Sequence, residues 1–157
     1  THELYWNGLI MKEYNPETGE LSYSYRIPNP EEKCVINRFY YDVESDSIMT
    51  SDLDKTVARN IRLKTARAIL LRSAAMDYYS DVFENVKSIH IMGYLTYFDS
   101  AFGTERDVNV MGLEISKDTF NQIDLERARL SELFERVLKT REAVGLYSKK
   151  PYELKGV

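Results

Sequence analysis

An aspartate, then a glutamate, then a lysine follow one another through "YFDSAFGTERDVNVMGLEISK", and this is the part of the chain where metal-dependent chemistry could be sought. Restriction-type nucleases place an Asp and then Glu-x-Lys on adjacent strands behind a helix. The carboxylates hold a divalent cation and the lysine assists the attacking water. Here Asp99 ends one apolar run, and Glu114 and Lys117 close the next. The lysine comes three residues after Glu114 rather than two, and on a strand that offset turns it to the opposite face. Asp99 also has a sufficient structural reading, because Asp-x-x-x-Gly over 99–103 has the residue types of a strand connection. The residues therefore predict a turn and an edge charge, and no catalytic or metal-binding residue is assigned.

The remaining chemistry-bearing residues are few. His90 lies inside "SIHIMGY", with His2 the other histidine of the chain, and reads as a strand histidine with its ring satisfied. Cys34 is the single cysteine, which excludes an intrachain disulfide and a multi-cysteine metal site. It reads as a small core hydrophobe, in a chain suited to a reducing compartment. No phosphate-cradling glycine pattern occurs, so no cofactor is expected. Lys55, Arg59 and Arg62 fall together on one side of a helical stretch and form the candidate nucleic-acid contact. The bland alternative is a solvated face that pairs with neighbouring acids. A formal net charge of −4 argues against a generally basic nucleic-acid binder and leaves a local stripe as the only form such contact could take.

The elements that must position these residues can be read from periodicity. The 157 residues suffice for one domain with a core, and the 43% apolar and 29% charged content is that of an ordinary globular protein. Asn15-Pro16-Glu17-Thr18-Gly19 is turn chemistry, and beyond it Leu21, Tyr23 and Tyr25 alternate with polar residues. Together these predict a hairpin, followed by a third strand over 34–43. Ser51-x-x-Asp54 has the form of a capping box, and the period then becomes helical. A long helix is expected over 52–79, with Leu53, Val57, Ile61 and Leu71 facing the core and Leu63, Leu70 and Ala74 forming a second stripe. A second hairpin follows over 86–115, with Gly103 placed after Asp99 as Gly19 is placed after Asn15. Short helices are expected over 117–143.

The predicted fold class is α+β: antiparallel β-hairpins packed on one long central helix, with small C-terminal helices. The expected organisation is a single domain over 1–145, with N-terminal strands over 9–43 and an extended tail over 146–157. The chain opens on Thr1 rather than Met, as an excised domain would. No run approaches the roughly 20 apolar residues of a membrane span, and no signal segment opens the chain, so a cytoplasmic location and no membrane partner are expected.

The order "YSYRIPNP", "RFYYDV", "TARAILLRSAAMDYY", "VKSIHIMGYLTYFDSAFG" and "LEISKDTFNQIDL" resembles the region preceding the nuclease domain in Mrr-like restriction endonucleases, over roughly Leu21 to Leu138. Met92-Gly93 and Phe102-Gly103 stand where that family tends to have Asn-Gly and Thr-Gly. The family's nuclease signature, an Asp-rich turn followed by Gln-x-Lys, is absent. The resemblance implies a restriction-like defence context and a segment that is not itself catalytic. Its function would be recognition or assembly, binding partner protein or DNA and positioning a nuclease domain. The alternative, from a different class, is a divergent metal-dependent nuclease domain using Asp99 and Glu114. Oligomeric state is not legible.

Overall fold

In the computed structural model, residues 9–29 and 36–147 are described. Strands β1 (Leu9–Asn15) and β2 (Glu20–Arg26) form the first hairpin, and β3 (Ile36–Asp42) and β4 (Ser47–Asp52) the second. Helix α1 (Lys55–Ser80) follows, then the long hairpin of β5 (Ser88–Asp99) and β6 (Thr104–Ser116). The short helix α2 (Lys117–Asn121), a helical turn α3 (Leu130–Glu132) that widens into a π-turn over Leu133–Val137, and strand β7 (Lys139–Glu142) complete the order.

The main sheet has five strands in the order β1-β2-β5-β6-β7. It is mixed: β2 runs parallel to β5, with Tyr23 opposite Ile91, while every other pair is antiparallel. The hairpins are antiparallel, as expected; the parallel junction between β2 and β5, which joins two of them, is an addition to that expectation. A parallel pair needs a long crossover, and here the crossover contains both the β3–β4 hairpin and α1.

Helix α1 starts at Asp54, whose side chain accepts the backbone N–H groups of Thr56 (2.9 Å) and Val57 (3.4 Å). The expected box beginning at Ser51 is not used, because Ser51 is paired with Arg38 in the second hairpin. Ala66, Leu70, Ala74 and Tyr78, spaced by four, make the buried seam, with Leu71 and Ala75 beside it. The alanines let the helix approach the sheet closely. The Tyr78 hydroxyl donates to the Ile115 carbonyl at 2.6 Å, which fixes the helix to β6. Beyond the helix, the Asp81 carboxylate accepts from the N–H groups of Asn85 (3.2 Å) and Val86 (2.7 Å) and turns the chain into β5.

The helix phase differs from expectation at its start. Leu71 is buried and Leu53 half-buried, but Val57 and Ile61 are 45% and 40% exposed. The sheet lies under the second half of α1, so the apolar stripe of the first two turns points away from the core. The core of the sheet comprises Ile89, Ile91 and Leu95 on β5 with Val110, Met111, Leu113 and Ile115 on β6, all essentially inaccessible.

Lys12 and Tyr23 converge on Asp77 of the helix, at 2.6 Å and 2.5 Å, and tie β1 and β2 to it. Burial first, and the hydrogen bond to Asp77 second, push the Tyr23 hydroxyl pKa up. At the other edge Arg67 forms a two-pronged pair with Glu142 of β7, 2.6 and 3.0 Å, and its guanidinium lies over Phe134. The region expected to be helical over 117–143 thus ends in an edge strand. Residues 148–157, most of the expected tail, lie outside the described residues.

Candidate interaction surface

Asp99 and Glu114 are not brought together. Asp99 stands opposite Thr104 and Glu114 opposite His90, toward the two ends of the long hairpin. Ten residues of β6 separate Thr104 from Glu114, or about 30 Å at the rise of a strand. Asp99 serves the turn. Its side chain accepts the Ala101 N–H at 2.9 Å, Arg106 lies 3.3 Å away, and the Asp99 carbonyl accepts the Gly103 N–H at 2.7 Å. The Ala101 N–H is the chief cause that holds the Asp99 carboxyl below its ordinary value. Gly19 and Gly103 both have positive φ, 71° and 67°, so the two hairpins share one turn design.

Glu114 and Lys117 lie on opposite sides of the sheet. The Glu114 carboxylate is 3.5 Å from Lys139, whereas the Lys117 ammonium sits 4.9 Å from the centre of the Tyr78 ring on the helix side. The half-buried His90 joins a row that crosses the face of the sheet opposite Ile89 and Ile91, Glu13, Ser22, His90, Glu114 and Lys139 in register. No group of three metal-ligating side chains occurs among the described residues. Cys34 lies outside them.

The basic candidates of α1 separate by environment. Lys55 is exposed. Arg59 is half-buried and its Nε donates to the Leu146 carbonyl at 3.1 Å, while Arg62 is also half-buried. The exposed cations of this helix are Lys55, Lys64 and Arg72. A shallow groove beside the π-turn carries Arg129 and Arg136, both within 4 Å of Glu132.

The feature that sequence reasoning missed is the β3–β4 hairpin. It is a sheet of its own and shares no ladder with the main one. Its register places Phe39 opposite Thr50, Tyr40 opposite Met49 and Tyr41 opposite Ile48. Strand alternation then puts Phe39, Tyr41, Ile48 and Thr50 on one face. Their exposures are 67% for Phe39, 59% for Tyr41 and 72% for Ile48, and Thr50 is exposed as well. The other face carries Arg38, Tyr40, Asp42, Ser47, Met49 and Ser51 and is partly covered. The turn holds Asp46 at φ 50°, with its carboxylate accepting from the Tyr41 hydroxyl and raising that hydroxyl's pKa. "RFYYDV" announced a strand, but nothing in its alternation announced that the aromatic face would stay outside the core.

The chain matches no protein family, no curated protein and no solved structure. Among the described residues, no helix is long and apolar enough to cross a membrane.

Proposed function

We propose that this chain is a non-catalytic recognition or assembly domain of a restriction-like defence protein, working in the cytoplasm through contact with partner protein. The observation that carries the reading is the β3–β4 hairpin, a small sheet that holds two aromatic rings and an isoleucine in solvent on one face. An isolated two-stranded hairpin is marginal in water without a surface to pack on. An exposed apolar patch of this kind marks an interaction site. The engagement of Arg59 with the Leu146 carbonyl and the acidic net charge favour protein over DNA as the partner class. The separation of Asp99 from Glu114 supports a role without catalysis, because two carboxylates about 30 Å apart cannot share a cation whose ligands sit at about 2.0–2.6 Å.

The test is incubation of the purified chain with plasmid DNA and Mg²⁺ or Mn²⁺, beside Asp99→Asn. Both proteins are expected to leave the plasmid intact. Cleavage by the wild type that Asp99→Asn abolishes would replace this reading with the divergent nuclease.

A further inference from the structure

We propose that the exposed face of the β3–β4 hairpin is a homodimer interface, on which a second copy of this chain packs its own hairpin about a two-fold axis. The inference rests on the recognition-or-assembly reading and names the partner. It starts from the sizes of the side chains on that face. Strand β3 contributes two large residues, Phe39 and Tyr41, and β4 contributes the slimmer Ile48 and Thr50 at the same levels. A two-fold axis lying in the interface, parallel to the strands and midway between them, places β3 of one copy over β4 of the other. Phe39 then lies over Thr50 of the second copy, and Tyr41 over its Ile48. Large residues meet small ones in both directions, so the face is complementary to itself, as an isologous contact requires. Facing sheets pack in this way, with interdigitated side chains at about 10 Å separation.

Charge points the same way. None of the four residues on this face is charged, while Arg38 and Asp42 alternate onto the other face. The Asp46 carboxylate, which accepts from the Tyr41 hydroxyl, lies at the turn end of the face, beyond these four residues. The apolar centre supplies a good part of the area. With about 150–250 Å² available on an aromatic side chain, the exposed fractions leave roughly 400 Å² per copy on these four residues. A pair therefore buries roughly 800 Å² from the apolar centre alone, and the exposed Val43 at the turn and the polar rim carry it toward the about 1,200–2,000 Å² of a stable interface.

Sedimentation velocity over a concentration series in 0.15 M salt tests this, on the chain, on Phe39→Glu and on Thr50→Lys, with circular dichroism and melting to verify folding. The wild type is expected to dimerise, and each variant to remain folded and dissociate at least 100-fold more readily. Mixing the two variants should restore a dimer, because the carboxylate introduced in one copy then faces the ammonium introduced in the other. Three results would overturn the proposal: a monomeric wild type at every concentration, which would leave the face to a different protein; a dimer unaffected by both variants; or variants that dissociate alone and remain apart when mixed. None of these touches the recognition-or-assembly reading, which fails instead on divalent-dependent DNA cleavage.

Discussion

Gly19 and Gly103 occupy the same position in the same turn, yet an added methyl group should cost very different amounts at the two sites. Each has a left-handed backbone, φ 71° and 67°, and each donates its N–H to the carbonyl four residues earlier, Asn15 at 2.8 Å and Asp99 at 2.7 Å. Forcing a non-glycine residue into that region costs about 1–2 kcal/mol, and both Gly→Ala variants should show this term. At Gly103 a Cβ meets nothing within 4 Å, so that term is the whole effect. At Gly19 the Cβ falls 2.9 Å from the Asn85 carbonyl oxygen and 2.9 Å from the Lys87 Cγ. The contact is close because the Gly19 carbonyl accepts the N–H groups of Lys87 (2.8 Å) and Ser88 (3.3 Å) and so anchors the turn against the start of β5. Backbone cannot yield as a side chain can, and overpacking of this kind adds about 1–3 kcal/mol. Gly19→Ala should therefore lose about 2–5 kcal/mol in total. At about 2–4 °C per kcal/mol for a chain of this size, its melting point should fall several degrees further than that of Gly103→Ala. Urea denaturation with a shared slope gives the two values directly. Equal losses would refute the account of the Gly19 contact, and no loss at Gly103 would refute the strain assigned to both turns. Gly103→Val should destabilise by about 1 kcal/mol or more, since a β-branched residue resists positive φ.

The phase of α1 can be checked by a pair of truncations: Leu71→Ala should cost about 2–5 kcal/mol, and Ile61→Ala, on the exposed side, should stay within about 0.5 kcal/mol in the monomer. Similar costs at both positions would contradict the observed phase. The carboxyl of Asp99, held low chiefly by the Ala101 N–H, and that of Asp42, held low by Ser45, set an acid limb. Because their folded pKa values lie below the ordinary 3.8, their contribution is present above that value and is lost as pH falls through the lower folded values. Urea midpoints should therefore fall below pH 3.8, and Asp99→Asn should flatten that fall; an unchanged acid limb would exclude Asp99 as a contributor.

What could be read in advance was local. Asn15-to-Gly19 and Asp99-to-Gly103 announced their turns because glycine and a side-chain acceptor are chemical requirements of that backbone. The helix, the two long strands of the second predicted hairpin and the offset between Glu114 and Lys117 followed from period alone. At the start of the helix the error has one cause: apolar periodicity shows that a face is apolar and does not show what covers it. Val57 and Ile61 read as core and are exposed. Ser51 was drawn into a capping box because strand β4 carries cap-like residues, and β7, "KTRE", lacks apolar alternation because it is an edge strand clamped by Arg67. The parallel pairing of β2 with β5 is non-local and leaves no mark in either strand.

That parallel pairing also orders the assembly of the fold in time. Tyr23 and Ile91 are adjacent in the sheet but far apart in the chain, whereas Asp99 and Thr104 close across a short connection. Loop-closure entropy must be met before such distant contacts give any return. The β5–β6 ribbon with the second half of α1 should therefore condense first, as a nucleus whose amides gain protection early in pulse-labelled hydrogen exchange. The β1–β2 ribbon docks onto it afterwards, when Asp77 and the Gly19 carbonyl find their partners. The β3–β4 hairpin, carried inside the crossover and outside the ladders of the main sheet, should join neither step, and its amides are expected to gain protection independently of both.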